Sequence, residues 1–598
     1  MFSTKDLSKV DYISLNIHDT SSFARGTSRS LWRKWNQLSR FQRNVFYFAI
    51  ITVALLIFYL LPGGARNILI ETENSFDTGK ISLETPKPNK LGDVLVVDNV
   101  DPAKILDTGD VIEEPQFQQE LNQVDDDQIG EPPQPKTIGL KFTGPQNDRQ
   151  KAVVEAFRHS WAGYKKYAWG HDNVKPISKG YHEWFNLGLT IVDSLDTMYI
   201  MGLNEEFKDA RDWVEHSLVF TLNRDVNLFE VTIRVLGGLL AAYHLSSDKL
   251  FLDKAIDLGD RLLPAFSTRS DVPYSDVNLG MRSAHSPKWG PDSSTSEVTS
   301  IQLEFRDLSR SSGQPRFEAA AAKVSEHIHR LEKYDGLVPI FINANTGMFR
   351  EYATITFGAR GDSYYEYLLK QWIQTGKTID YLRDDYLLGI AGMQKHLVKT
   401  TANNKLHFLA ELVGAAREMK PKMDHLVCYL IGTLALGYHN GLPYTHMDLA
   451  HKLVKTCYET YAIQPTFLAP EITYFNVLNS LDNNPMYVKS NDAHNLLRPE
   501  FIESLYYMWY FTGNKTYQEW GWKIFQAFEN YTKVENGYTS IGNVRNIQNT
   551  RPKDMTESFW FAETLKYLYL LFDDSRQLIN LDKWIFNSEG HPLPIYET

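Results

Sequence analysis

From about Leu140 to the end, apolar residues recur at helical spacing and two kinds of stretch alternate. Seven are apolar on nearly every face: FNLGLTIVDSLDTMYIMG, NLFEVTIRVLGGLLAAYHL, EVTSIQLEFRDL, DSYYEYLLKQWI, DHLVCYLIGTLALG, PEFIESLYYMWYF and ESFWFAETLKYLYLLF. A helix that is hydrophobic all round is a buried one. Six others, NEEFKDARDWVEH, DKLFLDKAIDLGDRL, PRFEAAAAKVSEHIHRL, TIDYLRDDYLLGIAGMQKHL, MDLAHKLVKTCYETY and KTYQEWGWKIFQAF, are amphipathic. Turns such as LSSDK, SRSSGQ, QTGK and FTGNK join an apolar stretch to the amphipathic one after it. The alternation repeats roughly every 60 to 75 residues. It predicts an all-α domain over 140–598 in which seven helical hairpins close on themselves, an (α/α)7 barrel with the apolar helices inside. An open solenoid needs polar capping repeats, and none is evident.

Upstream the pattern changes twice. Residues 45–61, VFYFAIITVALLIFYLL, carry no charge and nearly span a hydrocarbon layer, which predicts a single transmembrane helix. The 44 residues before it hold eight Lys/Arg against three Asp, so the positive-inside rule keeps 1–44 cytosolic and the remainder lumenal or extracellular. This is a type II signal anchor. Residues 62–139 read as a disordered stem, acidic and Pro-rich: between 71 and 131 sixteen Asp/Glu face four Lys.

The stem accounts for a net charge of -11 over the 598 residues, leaving the domain only mildly acidic. No basic surplus supports a nucleic-acid partner. Two cysteines, Cys428 and Cys457, cannot build a disulfide scaffold or a four-cysteine zinc site; they could form one bridge in an oxidising compartment. The sequons at Asn514 and Asn530 could be glycosylated there.

Each apolar stretch begins with an ionisable residue: Asp193, Glu230, Glu297, Asp362, His425, Glu500 with Glu503, and Glu557. Singly, each reads as a helix cap. Together, in a closed ring, the helix starts share one end and concentrate carboxylates in one cavity, an expensive arrangement unless a cation, arginines or a polyol occupies it. Arg234, Arg360 and Arg498 stand beside these acids, and Trp289, Tyr364, Phe559 and Trp560 could supply aromatic walls. Aromatics at helical spacing are, however, more often core. Paired carboxylates, arginines and aromatics suit glycoside hydrolysis, in which one acid protonates the leaving oxygen and a second carboxylate activates water or attacks. No HExxH, GxSxG or P-loop sequence is present.

At these residues the chain resembles the class I α-1,2-mannosidases, glycoside hydrolase family 47, and within them the endoplasmic-reticulum branch. The segments are DVNLFEVTIRVLGGLLAAYHLS, PYSDVNLG, EVTSIQLEFRDLSR, GARGDSYYEYLLKQW, KMDHLVC, HNLLRPEFIESLYY, ESFWFAETLKYLYLLF and FNSEGHPLP, in order over 140–598. The resemblance implies an (α/α)7 barrel and calcium-dependent removal of terminal α-1,2-linked mannose from high-mannose N-glycans with inversion. It implies Glu500 as base and Glu230 as general acid, with Asp362 a second catalytic carboxylate and the alternative source of the proton, the acid and base carboxyls standing roughly 6.5 to 9.5 Å apart. Arg234, Arg360, His425, Arg498, Glu503, Phe559, Glu563 and Glu589 match positions that line the family's pocket, and Cys428 and Cys457 match its disulfide. Its calcium-binding threonine is here Ser588, in Asn587-Ser588-Glu589; serine keeps both oxygens, so Ca2+ binding is expected to survive. Arg360, usual in the reticulum branch, implies removal of one mannose from Man9GlcNAc2 to give a Man8GlcNAc2 isomer, and a role in glycoprotein quality control in the endoplasmic reticulum or early Golgi membrane.

Three other readings stand beside this one. A Golgi-type enzyme would remove several mannoses. A catalytically silent mannose-binding lectin on the same fold would lack a catalytic acid, whereas all three are present. A helical-toroid scaffold for protein partners would not need acids at every inner helix start.

Overall fold

A computed structural model describes residues 140–596 apart from 289, 403–404 and 479–483. The expected tail, membrane helix and stem lie outside the described residues, as does Trp289.

The chain enters on an outer helix, α1 (Asp148–Tyr167), then alternates inner and outer elements. The first inner element is α2 (Leu189–Asp193) with α3 (Leu195–Ile200), followed by outer α4 (Asn204–His216). The second is α5 (Leu228–Val231), a π-helical turn (Thr232–Leu236) and α6 (Gly237–Ser246), followed by outer α7 (Lys249–Leu262). The third is α8 (Thr295–Thr299) with α9 (Gln302–Ser312), followed by outer α10 (Arg316–Arg330). The fourth is α11 (Asp362–Gln374), followed by outer α12 (Asp380–His396). The fifth is a 3-10 turn (His425–Tyr429) with α13 (Leu430–His439), followed by outer α14 (Tyr444–Ala462). The sixth is α15 (Glu500–Thr512), followed by outer α16 (Thr516–Tyr531), and the seventh is a π-helical turn (Trp560–Thr564) with α17 (Leu565–Leu571).

Each inner element packs on the next, and the seventh packs back on α2 and α3, so the ring closes into an α-helical barrel. The composition of the helices dictates their layer. In α6 eight of ten residues are buried, whereas α10 buries only a stripe containing Phe317, Ala321, Val324 and Ile328. Left-handed glycines, Gly313 and Gly513, end α9 and α15 at the turns expected from SRSSGQ and FTGNK. Among the described residues one helical span, Leu228–Ser246, is long and apolar enough to cross a membrane; most of it is buried inside the protein, as a ring helix should be.

One helix departs from the expected order. The seventh outer helix is α1, which precedes the ring and packs on α17, the last inner helix. A pattern in which every outer helix follows an inner one does not reach it. Short antiparallel strands also stiffen the connections: Asp225–Asn227 pairs with Asp276–Asn278, Asp292–Ser294 with Phe341–Asn343, and Lys422–Asp424 with Ile472–Phe475. The first strand of each pair ends where an inner element begins, fixing that element's N-terminal end. Strands this short leave no alternation to read. A final hairpin, Trp584–Phe586 with Pro592–Pro594, packs on α6, α9 and α11 and plugs the ring.

Candidate active site

The acids at the inner helix starts are only partly spent on their own helices: Asp362 Oδ1 accepts from the Ser363 N–H at 3.0 Å. Asn227 caps α5, its Oδ1 accepting from the Glu230 N–H at 2.9 Å. Pro499 and Gly361, ahead of Glu500 and Asp362, make no side-chain cap. Asp193 differs from expectation: it ends α2 instead of opening a helix and is fully buried. Two of the inner elements carry π-helical turns, a distortion frequent at functional sites; one bears Arg234 and the other Glu563.

Two arginines organise the acids. Arg234 Nε donates to Glu230 Oε2 at 2.9 Å, and its Nη1 donates to Glu589 Oε1. Arg498 Nε donates to both oxygens of Glu471 at 2.8 Å, and its Nη1 lies 3.5 Å from Glu500 Oε1. Both guanidiniums lie against Phe559, 5.8 and 5.9 Å from its ring centroid. The ring is half-buried and joins the Glu230 and Glu500 sides of the site. His425 Nδ1 meets Glu500 Oε2 at 2.7 Å.

The surroundings sort the carboxyls by proton affinity. Burial works to raise Glu500, but the His425 hydrogen bond and the Arg498 charge outweigh it and hold the carboxyl below its ordinary value. Burial lifts Asp362 to about 7, with Glu366 and Asp424 adding to the shift. Burial also raises Glu230, opposed by Arg234 and assisted by Glu297 and Asp193. One end of the ring thus holds a carboxylate kept ionised and two carboxyls biased toward retaining a proton.

The hairpin turn brings Ser588 against the fourth inner helix, its Oγ 3.3 Å from Glu366 Oε2 and its N–H donating to the Tyr367 hydroxyl at 3.2 Å. Burial and neighbouring acids push Glu503 up to about 8 and raise Glu563 and Glu589 well above the ordinary carboxylate range. Lys370 is the buried counter-charge, donating to Glu366 Oε1 at 2.5 Å and lying 3.9 Å from Glu503 Oε1. Among the described residues no three His, Cys, Asp or Glu side chains form a ready metal cage. The donor set at Ser588 is of another kind, a hydroxyl and a carbonyl ringed by carboxyls that repel one another. Hard oxygens in an acidic, under-neutralised pocket fit Ca2+ completed by water.

Arg360 stands at the rim, its side chain 38% exposed, donating from Nη1 to Ser294 Oγ at 2.7 Å and lying 3.8 Å from Glu297 Oε1. Cys428 and Cys457 form a disulfide. Asn514 and Asn530 are exposed. Two expected aromatic walls are core instead. Trp560 is fully buried, its Nε1 donating to Ser160 Oγ at 2.9 Å, and Tyr364 lines a small internal cavity with Thr299, Ile328 and Asp385. Helical periodicity turns both away from the axis. Sequence reasoning missed Glu304, Glu366, Lys370, Asp196, Lys566 and His591, all buried. The available signal was a charged residue inside an apolar run, as in DSYYEYLLKQWI and TLKYLYLLF.

The model of glycosyl hydrolase family 47 matches residues 156–595. The endoplasmic reticulum mannosyl-oligosaccharide 1,2-alpha-mannosidase of Rattus norvegicus is 46% identical, over 98% of this chain and 98% of its own. The protein of that name from Schizosaccharomyces pombe is 42% identical, over 75% of this chain and 90% of its own. A solved alpha-1,2-mannosidase from Trichoderma reesei superposes with a TM-score of 0.69 at 28% identity, covering 76% of this chain and 100% of its own. A barrel whose acids, arginines and aromatic ring converge as they do here, matched by that family over most of its length, belongs to glycosyl hydrolase family 47 and is a glycosidase.

Proposed function

We propose that the protein is a calcium-dependent, inverting α-1,2-mannosidase of the endoplasmic reticulum, removing one terminal mannose from Man9GlcNAc2 on glycoproteins to give a Man8GlcNAc2 isomer. The observation that carries this reading is the pair of carboxyls on either side of Phe559: Glu500, bound by His425 and facing Arg498, and Glu230, bound by Arg234. Glu500 is lowered while Glu230 and Asp362 are raised. In this reading Glu230 gives its proton to the leaving oxygen, Asp362 is a second catalytic carboxylate, and Glu500 takes a proton from the attacking water. Phe559 stacks on the sugar, while Arg234, Arg498, His425, Glu503, Glu563 and Glu589 line its pocket. Ser588, beside Glu366, would hold Ca2+, and the ion would supply positive charge to sugar hydroxyls and to water. Arg360, with five donors at the rim, selects among glycan branches through an inner sugar.

The names of the relatives support the substrate and the compartment. Residues 45–61 anchor the chain as a type II membrane protein with the barrel lumenal, a reading that rests on the charge asymmetry of the sequence. Asn514 and Asn530 are glycosylated in that compartment, and the role is N-glycan trimming in glycoprotein quality control. The test is incubation of the full chain, in detergent, with Man9GlcNAc2, with and without a chelator, resolving product isomers over time. A predominant Man8 isomer, lost on chelation, is expected. No mannose release with calcium present removes the reading.

A further inference from the structure

A row of alternating charges ties the C-terminal turn to the ring. Lys566 of α17 donates to Asp196 Oδ2 at 2.6 Å and to the Gly590 carbonyl at 2.5 Å. Asp196 Oδ2 lies 3.2 Å from His591 Nδ1, and the other ring nitrogen, Nε2, lies 3.1 Å from Asp193 Oδ1. Asp193 Oδ2 makes no hydrogen bond and faces Arg234 Nη1 at 3.7 Å. The side chains of Lys566, Asp196, His591 and Asp193 are all 0% exposed. The His591 ring also rests on the backbone of α6: a β-carbon at Gly238 would stand 3.4 Å from its Cε1 and 2.7 Å from the Val192 carbonyl.

Burying four charges is costly, and well-packed apolar residues of similar volume commonly hold a fold as well. Fold stability alone therefore does not account for the row. Its far end does: Arg234 is the guanidinium that holds Glu230 and Glu589. We propose that Asp193 and His591 are positioning residues for Arg234 and, through it, for Glu230, an inference that rests on Glu230 being the proton donor. Nε2 meets Asp193, and Nδ1, which makes no hydrogen bond, lies 3.2 Å from Asp196; these carboxylates outweigh burial and Lys566 and push the imidazole up to about 9. The imidazolium fixes the face that Asp193 presents, and Asp193 fixes the guanidinium.

The charges around the two ends are defined. Glu230 is faced by Arg234 from its own element, Asp193 from α2, Glu297 from α8 and Glu589 from the C-terminal hairpin. His591 is faced by Asp193, Asp196 and Lys566, with Glu304 and Glu589 near. Asp193→Asn keeps an oxygen for His591 but removes the negative charge facing Arg234. Glu230 then pairs more tightly, and the alkaline limb of kcat/KM moves to lower pH by about half a unit or more. His591→Gln removes a positive charge behind Asp193 and moves that limb to higher pH. A merely structural role destabilises without this pair of opposite displacements.

The experiment is the pH profile of kcat/KM for the full chain and both variants on a high-mannose oligosaccharide, with thermal unfolding alongside. Opposite displacements are expected. Limbs that coincide with the parent, or move the same way in both variants, overturn the inference. If His591→Gln does not fold, the direction in Asp193→Asn alone decides. Glu230→Gln tests the underlying reading separately: retained turnover with an unaltered limb removes Glu230 as donor. If Glu230→Gln abolishes turnover while Asp193→Asn and His591→Gln leave the limb in place, only the positioning role falls.

Discussion

Glu500 Oε2 lies 2.7 Å from Nδ1 of His425, whose Nε2 is in turn 2.7 Å from the Tyr461 hydroxyl. Three elements meet in this relay: α15, the 3-10 turn before α13, and outer helix α14. The turn is locked to α15 by Ser504, whose hydroxyl donates to the Cys428 carbonyl at 2.5 Å. A carboxylate held this way stays ionised and aimed, which is what a base requires.

Glu500→Gln should therefore lower kcat by about 10²- to 10⁴-fold while the variant still binds oligosaccharide. Turnover near the parent's level excludes Glu500 as base.

His425→Gln tests the relay more finely. The His425 hydrogen bond lowers the Glu500 carboxyl, so its loss lets that carboxyl rise, and the acid limb of kcat/KM should move to higher pH by about one unit. An unmoved limb means that Arg498 alone sets the ionisation of Glu500.

Glu230 and Asp362 are both raised, and leaving-group chemistry separates them. A mannosyl fluoride needs little protonation to depart. Glu230→Gln should lose oligosaccharide hydrolysis yet keep turnover of the fluoride, whereas Asp362→Asn should lose both. The reverse pattern assigns the donor role to Asp362.

The ring of barrel helices was legible in the sequence because an all-apolar helix leaves no choice of environment. The acids at helix starts were legible as a set, since one cap explains one carboxylate but not Glu230, Glu297, Asp362 and Glu500 at successive inner elements; Asp193, which ends α2, was the exception. What stayed hidden is what depends on distant partners. Nothing near Trp560 in sequence shows that its indole meets Ser160 on α1, 400 residues away. His591 likewise gave no local sign of the two aspartates it joins, because both lie on the first inner element. Ser588 was singled out only through the resemblance, since a lone serine in a C-terminal hairpin has no distinguishing pattern.

Glu304 and Asp362, at about 7, and Glu503, at about 8, all exceed their ordinary values through burial. The folded state therefore holds protons that the unfolded chain has released, and stability falls as pH rises between the ordinary carboxylate range and about 8. With a chelator present, the melting temperature should drop from about pH 5 to about pH 8. Calcium should restore more of it at the higher pH, because the ion displaces protons from the same acids. Equal stabilisation at both pH values, read by differential scanning calorimetry, refutes a calcium site among these carboxyls.

Arg360 sits beside Ser294 and Glu297 at the rim. Arg360→Leu should accordingly leave release of the first mannose within about threefold of the parent, an effect the size of one rim contact. Trimming past Man8 should increase. A product ladder unchanged on chromatography removes Arg360 from branch selection.

The disulfide joins Cys428, in the turn that presents His425, to Cys457 of α14, closing a loop with a sequence separation of 29. Loss of that cross-link frees the unfolded chain, at a cost of about 3.6 kcal/mol on the loop-entropy account. The same change loosens the turn that aims His425 at Glu500. A Cys428→Ala, Cys457→Ala variant should thus unfold at lower denaturant. Below its transition kcat should fall more than KM rises, because binding groups on the other inner elements are untouched. If the variant is destabilised with kcat unchanged, the bridge holds the barrel but has no part in aiming the base.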